Sequence, residues 1–140
     1  MALRRPTGVT ALSLFFLAGA AISGVSSLSL LDPKGFLEPM WRVNPPARQA
    51  FAGIGVWAVL LMLTVCLACA SAALGLWRGK RWGYWLAVGL LATNLAGDLI
   101  NVLLGTEPRA LVGVPVAAAL LAYLATRRVR EFFRNIPAAV

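Results

Sequence analysis

The chain has 140 residues, 60% of them hydrophobic and 13% charged, with 13 Lys and Arg against 5 Asp and Glu, a formal net charge of +8 and no histidine. A domain of this size has too much surface for its volume to remain soluble with so few charges, so lipid is expected to cover the excess apolar area. The missing histidine excludes His-ligated haem, imidazole-bound zinc or copper, and Ser-His-Asp or Cys-His nucleophiles, while the basic residues cluster beside apolar runs and not in the aromatic-interleaved stripe of a nucleic-acid-binding face.

The first apolar segment runs from about Val9 to Leu31. Arg4, Arg5, the apolar stretch and the small residues around Ser23 to Ser27 are also features of a secretory signal peptide. The run continues to Leu31 and is long enough to span a bilayer, so a retained membrane helix is the preferred reading. The twin arginine lacks the companions of an export signal and reads as ordinary positive-inside charge.

An outer loop, 32–50, follows, opened by Asp32-Pro33-Lys34-Gly35 and closed near Asn44-Pro45-Pro46. Phe36, Leu37, Met40 and Trp41 fall at near-helical spacing, which permits a short amphipathic turn on the outer interface. A Pro-rich connector whose apolar residues dip into the headgroups is the preferred alternative.

The second apolar segment, 51–77, the third, 83–104, and the fourth, 110–126, are separated by Arg78-Gly79-Lys80-Arg81 and by Gly105-Thr106-Glu107-Pro108. Each is close to or above the ~20 residues that cross a hydrocarbon core, with the fourth at the short end of the range. Such short joints make neighbours antiparallel. The expected fold is therefore all-α, a single membrane domain forming an up-and-down four-helix bundle. The basic tail, 127–140, is expected to continue the fourth helix as an amphipathic end through RRVREFFR, able to meet anionic lipid or a partner, with simple anchoring as the default.

Orientation follows from the cations. Nine Lys and Arg lie in the N-terminus, the second joint and the tail, and four (Lys34, Arg42, Arg48, Arg109) lie on the other side. The majority belongs inside, which puts both termini in the cytoplasm of a multi-pass chain, with a bacterial inner membrane as the expected setting. Trp77, Trp82 and Trp85 gather at the basic boundary and Trp41 lies in the outer loop, as expected of rings that anchor in the headgroup layer.

The third segment carries the polar residues. Asn94, Asp98 and Asn101 recur at i, i+4 and i+7 and share a helix face. Asp98 is the only charged residue inside any expected span. An aspartate at a helix centre costs about 3 kcal/mol on insertion scales, less toward the interface, so something must offset it. One reading is a cation or proton site, or a polar seam lining a path. The preferred one is hydrogen-bonded packing between helices, with Asp98 pairing to Arg109 or Arg48. On an adjoining face Gly89, Thr93, Gly97, Asn101 and Gly105 recur every four residues, a spacing that lets another backbone approach closely. Gly19, Ser23 and Ser27 in the first segment, and Ala68 with Ala72 and Ser71 with Gly75 in the second, offer similar small faces.

Cys66 and Cys69 form a C-x-x-C well inside the second segment. Quinone-linked thiol oxidoreductases of the vitamin K epoxide reductase type also have a four-helix core, but need that motif near the outer face together with loop cysteines. The chain has two cysteines in all, so small packing residues are the preferred reading. Lys34 and Lys80 lie in loops, which leaves no buried lysine for a retinal-type Schiff base. No cofactor, metal site or enzymatic activity is expected.

The joint LGLWRGKRWGYWLAV resembles a pattern in small, uncharacterised bacterial four-helix membrane families. It places Gly75, Trp77, Arg78, Gly79, Arg81, Trp82 and Gly83 around a tight basic turn. The resemblance covers about a tenth of the chain and implies the topology alone. The expected function is a structural or accessory subunit that packs through small-residue faces in a homo-oligomer or larger membrane complex. The alternative is an oligomeric small transporter or channel using Asp98 with Asn94 and Asn101.

Overall fold

The computed structural model describes residues 5–32, 34–105 and 110–134. Among them all regular structure is helical: α1 (Thr7–Leu31), a short 3-10 helix (Glu38–Arg42), α2 (Pro45–Ile54), α3 (Val56–Trp77), α4 (Arg81–Leu104), α5 (Ala110–Ala125) and α6 (Arg127–Arg134). Helices α1, α3 and α4, with 25, 22 and 24 residues, are long and apolar enough to cross a membrane. At 1.5 Å per residue they reach roughly 33 to 38 Å, beyond the ~30 Å of a hydrocarbon core. The α5–α6 pair, bent by 57°, supplies a fourth candidate if taken as one span. Ile22, Leu28, Leu67, Leu103 and Val112 are all more than half exposed. Three to four such apolar helices are compatible with a multi-pass membrane protein, in which lipid removes those side chains from water.

Two departures from smooth helices have local causes. The apolar stretch 51–77 is divided at Gly55, whose backbone adopts φ +57° and ψ −129°. That region is essentially closed to residues with a Cβ, so glycine is what lets the helix break between α2 and α3. The tail does not continue α5 smoothly. Both the hydroxyl and the N–H of Thr126 donate to the Tyr123 carbonyl, at 2.7 and 3.1 Å, tightening the last turn. The chain then restarts as α6, with the Arg130 N–H on the Thr126 carbonyl at 3.0 Å.

The residues fall into two compact units, Phe16–Ala70 and Met1–Phe15 with Ser71–Val140, and α1 and α3 contribute residues to both. In the unit 16–70, small residues bring α1 and α3 together. The Cys66 sulfur lies 3.2 Å from where a Cβ on Gly24 would stand, and the Cys69 sulfur 3.7 Å from that of Gly19. The Ser27 hydroxyl donates to the Val59 carbonyl at 3.2 Å, and Ser23 is half-buried.

The connector after α1 is folded. Trp41 is only 6% exposed. Its indole N–H donates to the Ser29 hydroxyl at 2.6 Å, and its ring meets Phe51 edge-on at 5.9 Å. Asn44 caps α2 by accepting from the Ala47 N–H at 3.3 Å, while Pro45 and Pro46 occupy a first turn that needs no N–H. Phe36, by contrast, is 97% exposed.

In the unit that joins the first fifteen residues to 71–140, α4 packs against α5, and Gly83, Ala87 and Leu91 of α4 and Ala117 and Leu124 of α5 are buried. The end of α3 meets the start of α4 backbone to backbone. A Cβ on Gly75 would lie 2.5 Å from the Gly83 Cα, and one on Gly83 would overlap Gly75. Three basic segments meet at this end. The Arg5 guanidinium lies 4.8 Å over the Trp77 ring, and Gly8 sits against the Tyr123 phenol. Tyr84 donates to the Leu124 carbonyl at 3.2 Å and packs on Phe133 of α6 at 5.2 Å.

Candidate functional site

Among the described residues, α4 carries the single acid within the long apolar helices, Asp98. Asp98 is half-buried on the face of α4 that turns toward α5, and its carboxylate lies against Gly113. A Cβ on Gly113 would stand 2.8 Å from the Asp98 Cγ and would overlap the nearer carboxylate oxygen. Glycine is what gives the carboxylate room. Among the described residues no hydrogen bond or ion pair reaches Asp98. Arg48 pairs with Glu38 at 3.5 Å, and Arg109 lies outside the described residues.

The neighbouring polar residues are spread by exposure. Asn94 is exposed and Asn101 half-buried. The small-residue ladder behaves differently again: Gly89, Thr93 and Gly97 are exposed, and no described atom lies within 4 Å of a Cβ built on Gly89 or Gly97. Gly105 closes α4, at φ +66° in the left-handed region, where its N–H reaches the Asn101 and Val102 carbonyls. Trp77, Trp82 and Trp85 are 49%, 50% and 67% exposed at the basic end, whereas Trp41 is inserted between Ser29 and Phe51.

No protein-family model, curated protein or solved structure matches the chain.

Chemically, the arrangement offers one carboxylate with room on a neighbouring helix, and an exposed row of small residues, Gly89, Thr93 and Gly97, beside the Asn94 amide. Cys66 and Cys69 are free thiols, half-buried against α1. No group of three or more His, Cys, Asp or Glu suited to a metal ion occurs among the described residues. Gly113 and Gly8 carry packing roles that the linear pattern does not single out. Each is an isolated glycine in an apolar helix, a signal visible in the sequence only once its facing residue is known.

Proposed function

We propose that the chain is an up-and-down, four-span membrane bundle with both termini on the cytoplasmic side. In this reading it serves as a small structural or accessory subunit that joins a second copy or a larger complex through the outward face of α4. The observation that carries this is the contrast among its glycines. Gly8, Gly75, Gly83 and Gly113 are filled by neighbours, whereas Gly89 and Gly97 open onto unoccupied space beside exposed Thr93 and Asn94. A lipid-facing asparagine leaves its amide unsatisfied, and small neighbours admit a second helix close enough to bond it.

The orientation is supported by the nine cations of the N-terminus, the α3–α4 joint and the tail, and by the contacts among Arg5, Trp77, Tyr84 and Phe133. It is tested with Lys34→Cys and Lys80→Cys in a Cys66→Ser, Cys69→Ser background. An impermeant maleimide applied to intact cells should modify the first and spare the second.

The subunit reading is tested by mass measurement in mild detergent and by pull-down from native membranes. Gly89→Leu with Gly97→Leu should abolish an association that the unaltered chain shows. A monomer that captures nothing ends the idea.

A second reading, an oligomeric transporter or channel, draws on the half-buried Asp98 without a described ion partner. Proton or cation flux in liposomes that vanishes in Asp98→Asn supports it, and the absence of flux removes it.

A further inference from the structure

Helix α6 turns one face inward and another outward. Val129, Phe132 and Phe133 are buried, which leaves Arg127, Arg130 and Arg134, spaced i, i+3, i+7, along an exposed side. Arg81, at the first position of α4, faces the same space. Between them lies an open cleft of about 560 Å³, a volume in the range of small-ligand sites. Its wall carries four arginines against one glutamate, Glu131, which engages Arg127 at 3.3 Å. Aromatic residues line it too: Tyr84 and Phe133 lie tilted against each other at 5.2 Å, and the Tyr84 hydroxyl is already committed to the Leu124 carbonyl, which leaves the arginines as the cleft's charged groups.

We propose that this cleft binds the phosphodiester headgroup of an anionic phospholipid, with room for a headgroup that carries two phosphates. The recognition chemistry is that of guanidinium forks, which pair with phosphate oxygens two at a time. Bound lipid, and not a soluble phosphate compound, is the occupant because of where the cleft stands. It opens beside the first turn of α4, level with the exposed rings of Trp82 and Trp85, residues that favour the headgroup layer. Aromatic side chains among the cations, Tyr84, Trp85 and Phe133, suit the glycerol and upper acyl carbons that follow a headgroup. Basic pockets between helix ends on the cytoplasmic side are where such headgroups are held. The inference rests on the membrane-spanning reading and is independent of the role given to the outward face of α4.

The test uses the full chain in nanodiscs of phosphatidylcholine mixed with either phosphatidylglycerol or a two-phosphate cardiolipin, with retained lipids counted by native mass spectrometry. Incorporation itself reports on the spanning reading, so the two can fail separately. The unaltered protein should retain anionic lipid well above its share of the bilayer. Arg130→Gln with Arg134→Gln should lower that enrichment roughly tenfold or more, since each removed cation weakens attraction to anionic headgroups. Lys34→Gln with Arg42→Gln, neither of which lines the cleft, should leave it unchanged. Equal retention of neutral and anionic lipid, or enrichment indifferent to Arg130 and Arg134, overturns the proposal. Displacement of the lipid by millimolar inorganic phosphate overturns the choice of lipid as occupant. Should the double variant fail to incorporate, the unaltered protein decides. Enrichment that falls as salt rises supports the cleft, and enrichment insensitive to salt overturns it.

Discussion

The Asp98 carboxylate lies over the Cα of Gly113 on the facing helix, filling the place a side chain would take. An acid in the third apolar segment is thus tied to a glycine in the fourth. Gly113→Ala should lower stability by about 1–3 kcal/mol, the usual cost of forcing extra volume into a packed contact. Combining it with Asp98→Ala should recover most of that loss, because the methyl group then enters the space the carboxylate leaves. A double-mutant cycle on unfolding in detergent measures the coupling. Strictly additive losses would sink this account.

At the α3–α4 joint, Gly75→Ala and Gly83→Ala each set a methyl group against backbone, which has no rotamer with which to yield. Each should cost about 1–3 kcal/mol. Gly89→Ala and Gly97→Ala have open space around them and should stay within about 0.5 kcal/mol of the unaltered protein, or gain slightly from helix propensity. Thermal unfolding of the four variants under one condition distinguishes the two pairs. A similar loss at all four would mean that the outward face of α4 is already packed.

Removing the hydroxyl in Ser29→Ala leaves the buried Trp41 indole N–H without its acceptor. The expected cost is about 1–3 kcal/mol, the penalty for an unsatisfied buried donor. Trp41→Phe in the same background should recover part of it. Protease sensitivity of the segment 34–50 should rise in Ser29→Ala and fall back in the double variant.

Gly55→Ala places a Cβ where φ is +57° and ψ is −129°. Strain of about 1–3 kcal/mol is expected. The relief open to the chain is to run α2 into α3 as one continuous helix, so spin labels placed at Gln49 and Leu63 should report a changed separation. An unaltered distance together with unaltered stability would refute the strain.

What the sequence makes legible here is set by range. Apolar run length and the breakers between runs act within a few residues, so all-helical structure and three or four apolar helices can be read directly. Asp98 is visible for the same reason, as a lone charge in an apolar stretch. Its neighbour is not, because whether Gly113 or another α5 residue faces Asp98 depends on the rotation of one helix against another. Trp41 reads as a headgroup ring until Ser29, twelve residues earlier, proves to be its partner. The bend at Thr126 turns on a hydroxyl competing for the Tyr123 carbonyl, a contest that an apolar-run count does not register. Gly55 looks like one more small residue in a hydrophobic run, and only its backbone angles mark it as a helix break.

The Gly75–Gly83 contact also bears on how the chain is made. Synthesis releases α3 first, and only Arg78, Gly79 and Lys80 separate it from α4. The turn is closed locally, with the Lys80 N–H on the Gly75 carbonyl at 2.8 Å and the Gly79 N–H on the Leu76 carbonyl at 3.1 Å. With bare backbone at the crossing, the corner can form without waiting for any side chain to find its rotamer. In the membrane-spanning reading proposed above, a nascent chain so built would present its second and third apolar stretches to the insertion machinery as a hairpin already folded at the tip, and the cations of that tip would hold it to the side of entry.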